Sequence, residues 1–218
     1  MNKSAVRRIA DGGGSADEEL IAEIDKISML HPETLRILWE FARLSSGPVI
    51  ELGPYIGGST IAMAAAGAQV ITVEKGGAYL THPHLPSHDI VADLKSNIDR
   101  YGVSKRVTIV VGHNNDANTV AAVGKALDSR KAGFFFADSD GKVARDFPLY
   151  RDFLADGAFV VFDDYESALA SVKAALVRPF VESGLRAGHF TDFGIYQWGT
   201  WAGRYQRDAV REDQRSRT

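Results

Sequence analysis

Apolar positions along the chain change their period at about residue 48. In "DEELIAEIDKIS" (17–28) and "PETLRILWEFARLS" (32–45) they recur every three to four residues, as at Leu35, Leu38, Trp39 and Ala42, which predicts two amphipathic helices. Ser15 followed by Glu18 forms a capping box for the first helix, and Gly47 stops the second. From Pro48 onward, short continuous apolar runs alternate with helical stretches. The runs "PVIEL" (48–52), "QVITVE" (69–74), "RVTIVVG" (106–112), "AGFFFAD" (132–138) and "AFVVFDD" (158–164) predict strands. Between and after them, "STIAMAAAG" (59–67), "DIVADLKSNIDRYG" (89–102), "DANTVAAVGKALDS" (116–129), "FPLYRDFLAD" (147–156) and "ESALASVKAALVRPFVES" (166–183) predict helices.

Strands without polar alternation are buried on both faces, and alternating strands and helices joined by right-handed crossovers give a parallel sheet covered on both sides. After Gly184 the pattern changes. "RAGHFTDFGIYQWGTWAGRY" (186–205) holds two strand candidates, separated at Asp192-Phe193-Gly194 with no helix between them, so a hairpin with one antiparallel strand closes the edge. The expected architecture is α/β: a doubly wound, mostly parallel seven-stranded sheet with an antiparallel edge hairpin, preceded by N-terminal helices. One domain is expected over 16–205, with a flexible tail at 1–15 and a polar tail at 206–218.

Composition agrees with a single globular unit: 218 residues, 45% hydrophobic and 24% charged. A net charge of -3, with basic residues scattered except near the termini, gives no footprint for nucleic acid. No cysteine is present, which excludes disulfides and thiolate metal sites and fits a cytoplasmic protein. No run reaches the length of a membrane span or a secretory signal.

In open α/β sheets, ligands bind beyond the carboxyl ends of the strands, where strand order reverses. Five segments lie there: "ELGPYIGGS", "EKGG", "GHNND", "ADSDGK" and "DDYES", and all five carry acid: Glu51, Glu74, Asp116, Asp138, Asp140, Asp163 and Asp164. The loop Gly53-Pro54-Tyr55-Ile56-Gly57-Gly58 places tyrosine where a dinucleotide fingerprint needs a glycine for the pyrophosphate. Glu51 would repel a phosphate and attract an ammonium group. Glu74, about twenty residues after the first glycine, stands where a carboxylate accepts ribose hydroxyls. These features point to a ligand with a ribose, an ammonium and no phosphate, which S-adenosylmethionine satisfies, and they disfavour a nicotinamide oxidoreductase.

The ordered set "VIELGPYIGGST", "VITVEKG", "VTIVVGHNND", "FFFADSDG" and "LADGAFVVFDDY" resembles the class I S-adenosylmethionine-dependent methyltransferases, a Rossmann-like group, and most closely the catechol-type small-molecule O-methyltransferases. The resemblance spans roughly residues 31 to 200. It implies that Glu51, Gly53, Tyr55, Gly57 and Ser59 line the methionine end, that Glu74 holds the ribose, and that Asn114 and Asn115 lie near the adenine. Turn and cap chemistry is the plainer alternative for Gly57, Ser59 and the two asparagines. It further implies a divalent cation on Asp138, Asp163 and Asp164, Mg²⁺ by the all-oxygen donor set; the plainer alternative is that Asp163 or Asp164 caps the following helix and Asp138 binds a backbone amide. Related enzymes carry a lysine or histidine three residues after the first aspartate. Here that position is Gly141, and Lys142 is the candidate base.

The expected activity is methyl transfer to a hydroxyl of a small molecule with Asp138 and Lys142 in catalytic positions. The alternatives are a metal-independent O- or N-methyltransferase and an inactive cofactor-binding module. His82, His84 and His88 in "THPHLPSHD" read as a lid loop rather than a zinc site. Tyr196, Trp198, Trp201 and Tyr205 are candidates either for stacking on an acceptor or for core packing. The N-terminal helices suit covering the cleft or joining a homodimer.

Overall fold

The computed structural model describes residues 1–166 and 172–207. Its first helix, α1 (Lys3–Arg8), is capped by Asn2, whose side chain accepts from the Ala5 N–H at 3.0 Å. A wide turn over Ile9–Gly13 follows. Residues 1–15, expected as a tail, thus form structure: Val6, Ile9 and Ala10 are buried and join the main core. That short apolar triplet was masked in the sequence by the charged and glycine-rich residues around it. Helix α2 (Glu18–Asp25) is capped by Asp17, which accepts from the Leu20 N–H at 3.1 Å, in place of the Ser15 capping box. Ser15 instead donates its N–H to the buried Glu40, and Glu18 pairs with Arg36. Helix α3 (Pro32–Leu44) starts at His31, whose ring nitrogen accepts from the Glu33 N–H at 3.2 Å.

Strands β1 (Val49–Leu52), β2 (Val70–Glu74), β3 (Val107–Val111), β4 (Ala132–Ala137), β5 (Leu154–Phe162), β6 (Phe190–Tyr196) and β7 (Thr200–Tyr205) form one sheet in the order β3-β2-β1-β4-β5-β7-β6. The first five are parallel, β7 is antiparallel to both neighbours, and the expected seven-stranded architecture is what the chain builds. Strand order reverses between β1 and β4, so the cleft opens there. The linking helices are α4 (Gly58–Ala65), α5 (Ile90–Arg100), α6 (Ala117–Leu127), α7 (Val143–Tyr150) and α8 (Ala174–Arg186).

The triple phenylalanine of β4 shows how the two layers are filled. Successive side chains on a strand point to opposite faces. Phe134 and Phe136 join the core beneath α3, α4 and α5, whereas Phe135 joins the core beneath α6, α7 and α8. Phe41 of α3 stacks on Phe159 at 4.2 Å between ring centres, and Phe162 stacks on Trp201 at 5.8 Å on the other face.

Three boundaries differ from the pattern in the sequence. The stretch 147–156 is not one helix: α7 begins at Val143 and ends at Tyr150, and Leu154 already pairs with Ala132 in the sheet. Gly157, at φ 71°, lies at the shift of register that makes β5 long. Helix α8 begins at Ala174 among the described residues, and the part of its expected span at 167–171 lies outside them. The hairpin turns at Gln197–Gly199, not at Asp192–Gly194, which is a bulge within β6 where Asp192 accepts from the Gly194 N–H at 2.8 Å. The turn falls where Trp198 and Gly199 take positive φ, 63° and 95°. The expected polar segment 206–218 lies outside the described residues from 208 onward. Among the described residues no helix is long and apolar enough to cross a membrane.

Candidate active site

The loop after β1 turns away from the sheet at Gly53, whose φ is 86°. A Cβ here would lie 1.9 Å from the Asp138 carbonyl oxygen, so only glycine lets the β1 loop pass the end of β4. Tyr55 also takes a positive φ, 52°, and its hydroxyl donates to the Leu85 carbonyl. This ties the glycine loop to the 75–88 segment, which is itself closed by a two-way backbone bridge between Tyr79 and Ser87, 2.8 Å in each direction. Gly57 begins α4 in the left-handed region with no side-chain cap, and Asn97 of α5 donates to the Ile56 carbonyl at 2.8 Å. From the other side, Ser28 packs against Gly58, and Met29 and Leu30 line the cleft with Gly53, Tyr55, Ser59 and Asp138. The linker between α2 and α3 is therefore a wall of the site.

Glu51 is fully buried, and its two carboxylate oxygens accept from the hydroxyls of Ser59 and Thr60. Burial raises its pKa, the hydroxyl bonds act against that rise, and the nearby charge of Glu74 adds to it. Ser59 thus serves Glu51 and not the helix start. Glu74, also buried, accepts from the Gly76 N–H at 2.9 Å, and burial raises its pKa as well. Asn114 follows β3, whose neighbouring Gly112 N–H donates to the Glu74 carbonyl at 2.9 Å. Its side chain donates to Asp146 at 3.3 Å, and its carbonyl accepts from the Tyr150 hydroxyl at 2.7 Å. Asn115 is exposed.

At the β4 and β5 ends, Asp138, Asp163 and Asp164 each offer a carboxylate oxygen, all within 4.8 Å of one another. Among the described residues no other group of three or more histidines and acids converges in this way, and His82, His84 and His88 do not form one. Burial, then the charge of Asp163, raise the Asp138 pKa well above the ordinary range. Asp163 is pushed up to about 6, mainly by burial, while the Thr200 hydroxyl donates to it and lowers it. Thr200 is in turn within 3.0 Å of the Thr34 hydroxyl of α3.

A cation is already present in this cluster. The Lys173 ammonium, at the start of α8, lies 2.8 Å from Asp164 and 3.7 Å from Asp138. Burial opposes its charge, yet Asp138, Asp164 and Asp163 together raise its pKa. Lys142 lies elsewhere: its ammonium is 3.4 Å from Asp140 and its side chain is half exposed. Lys173 gave no signal in the sequence, because it sits within a helical stretch whose lysines ordinarily face solvent. Thr34 and Thr200 were equally silent. Of the four candidate aromatics, Tyr196, Trp201 and Tyr205 are buried in the core, whereas Trp198 is 65% exposed and meets His31 edge-on at 5.1 Å.

The donor chemistry of the cluster suits a hard divalent ion, since all three groups are carboxylates. Its arrangement does not, because Lys173 already compensates two of the acids and Thr200 occupies an oxygen of the third.

Residues 50–165, just over half of the chain, match the methyltransferase domain family, and the chain belongs to it. A search of curated proteins found no match. Among solved structures, the chain is similar to the O-methyltransferase of Bacillus cereus in complex with SAH, at 15% identity and a TM-score of 0.64, over 93% of this chain and 97% of that one. It is also similar to TomG of Streptomyces achromogenes, an O-methyltransferase involved in tomaymycin synthesis and solved with SAM: 16% identity, TM-score 0.63, 87% and 91% covered. The SAH-bound methyltransferase PaMTH1 of Podospora anserina matches at 14% identity and a TM-score of 0.61, with 93% and 94% covered. At these identities the likeness is one of fold.

Proposed function

We propose that the protein transfers a methyl group from S-adenosylmethionine to a hydroxyl of a small molecule. S-adenosylmethionine supplies a methyl carbon made electrophilic by its sulfonium. The observation that carries the reading is the acidic cleft at the strand-order reversal: Glu51 and Glu74 on one side, Asp138 on the other, with the glycine loop between them. An acidic cleft disfavours phosphates and favours a ligand bearing an ammonium and a ribose. Glu74 accepts the ribose hydroxyls, Glu51 keeps the methionine end electrostatically favourable through Ser59 and Thr60, and Gly53, Tyr55 and Gly57 shape the loop. Asn114 and Asn115 bound the adenine side.

The acceptor occupies the Asp138–Asp163 side, below Trp198 and His31. Its oxygen forms a bond to the methyl carbon as the bond from that carbon to sulfur breaks, and its proton passes to Asp138, the carboxylate that stands between the glycine loop and the aspartate cluster. Lys142, paired with Asp140 outside the cluster, leaves this role to Asp138. Much of the rate enhancement then comes from holding the two reactants in line. Positive charge beside the acceptor oxygen comes from Lys173. Mg²⁺ on Asp138, Asp163 and Asp164 is the second reading, favoured by the convergence of the three acids, and it requires the Lys173 ammonium to move aside.

Calorimetry with S-adenosylhomocysteine tests the core of this proposal. Saturable binding by the wild type, weakened in Glu74→Ala, is expected; binding of NADH with no response to S-adenosylhomocysteine overturns it.

A further inference from the structure

We propose that the Lys173 ammonium is the resident cation of the Asp138–Asp163–Asp164 cluster and holds the place that a divalent ion would need. Three independent features support this. First, Lys173 is the only cation paired with any of the three acids among the described residues, and it bridges two of them, at 2.8 Å and 3.7 Å. Second, Asp164 takes a left-handed backbone, φ 58°, a conformation uncommon outside glycine, and in it its carboxylate meets the lysine. Third, the lysine stem passes directly over Gly141. A Cβ at 141 would lie 2.8 Å from Lys173 Cα, 2.9 Å from Cβ and 3.2 Å from Cγ. The glycine at that position is thus the complement of the lysine: a larger residue there would meet the backbone and stem of Lys173.

An ammonium and a divalent ion cannot share this volume. Mg²⁺ requires oxygens at about 2.0–2.1 Å in near-octahedral array. An ion among these carboxylates would face a positive charge within a few ångströms and compete for the same oxygens. The ammonium differs from a metal in consequence as well as in identity. It is tethered, always present, and offers directed N–H donors, so Lys173 acts as a positioning residue that fixes the carboxylates and presents donors towards the acceptor. This deepens the methyl-transfer reading and rests on it for the identity of the acceptor side; the cation assignment itself rests on the side-chain geometry.

The test is a Mn²⁺ titration followed by electron paramagnetic resonance, without cofactor or acceptor, on the wild type, Lys173→Met and Lys173→Arg. Mn²⁺ should bind Lys173→Met at least about tenfold more tightly than the wild type, the change expected when a fixed positive charge a few ångströms away is removed. Lys173→Arg should remain as weak as the wild type. Gly141→Ala, whose added Cβ would meet the lysine stem at a position with φ 77°, should shift Mn²⁺ affinity in the same direction as Lys173→Met, and Lys173→Gln covers the case in which Lys173→Met fails to fold. Equal Mn²⁺ affinity in the wild type and in a folded Lys173→Met, Lys173→Gln or Gly141→Ala protein overturns the proposal, as does tight, saturable Mn²⁺ binding by the wild type. S-adenosylhomocysteine calorimetry on the same samples separates the two ideas: if no sample binds it, the methyl-transfer reading fails while the Mn²⁺ comparison still decides the role of Lys173.

Discussion

The two halves of the cleft hold their acids in different ways. On the β1–β2 side, Glu51 and Glu74 are compensated by neutral donors: two hydroxyls for the first, a backbone N–H for the second. On the β4–β5 side, three aspartates meet a lysine brought from the start of α8. Neutral donors leave the net charge of the pocket negative, which suits a cationic ligand; an ammonium cancels part of it and fixes the carboxylates in place. The buried glutamates and the partly exposed aspartates thus have different partners, and the partner decides what charge remains. The glycine loop joins the halves, since Gly53 packs on the Asp138 backbone.

The largest expected effect breaks that junction. Gly53→Ala combines a positive φ with a contact of 1.9 Å to a backbone oxygen that belongs to the opposite half. It should cost about 3 kcal/mol or more in urea unfolding, because strain and overpacking add. Gly67→Ala is the control: its φ is 104° but nothing lies within 4 Å of the added Cβ, so about 1 kcal/mol is expected. Equal losses at the two positions would show that the junction carries no special constraint.

Next in size is Glu74→Ala. Removing a charged acceptor of ribose hydroxyls should weaken S-adenosylhomocysteine binding by about 1.5–3 kcal/mol. Asp163→Asn, in the other half, should leave that affinity within about twofold, since distant sites act independently. Calorimetry on both variants sharpens the division; a large loss in Asp163→Asn would erase it.

The sheet was legible because its strands are short, apolar and separated by amphipathic helices, and Glu51, Gly53, Tyr55, Gly57 and Ser59 stand out because one loop gathers them within a dozen positions. The β4–β5 side of the cleft was legible only in part. Asp138, Asp163 and Asp164 stand at strand ends, where position alone marks them. Lys173 and Thr200 reach the same point from the start of α8 and the start of β7, and no local period records such a meeting. The 197–199 turn was hidden for another reason: Asp192-Phe193-Gly194 carries turn residues too, and only the pairing of β6 with β7 assigns them to a bulge. Tyr196, Trp201 and Tyr205 could not be separated from Trp198 by type, since burial alone distinguishes them.

Glu51 offers a test by pH. Its folded pKa is raised above the ordinary 4.5 by burial, so the folded state holds the proton more tightly than the unfolded chain. Stability contributed by this group is therefore greatest at low pH and falls as pH rises through 4.5 towards the raised value. Glu51→Gln removes the titration, so its midpoint of thermal unfolding should fall less over that range than that of the wild type. Parallel curves would mean that the hydroxyls of Ser59 and Thr60 fully offset the burial.

The smallest effect is expected at Trp198. Its ring is 65% exposed, meets His31 edge-on at 5.1 Å, and belongs to the turn whose Gly199 carbonyl accepts from the Glu166 N–H at 3.1 Å, two residues after Asp164. An exposed indole contributes little to folding, so Trp198→Ala should change stability by about 0.5 kcal/mol or less. If the ring forms the rim of the acceptor side, the same change should raise KM for the acceptor by an amount corresponding to about 0.5–1.5 kcal/mol, the usual worth of one aromatic contact, with little change in kcat. Cofactor affinity should be untouched, because the indole belongs to the β4–β5 half. A fall in kcat at constant KM would instead assign Trp198 to ordering the reacting groups, and a loss of cofactor binding would mean that the two halves of the cleft are not separate in the way their charge partners suggest.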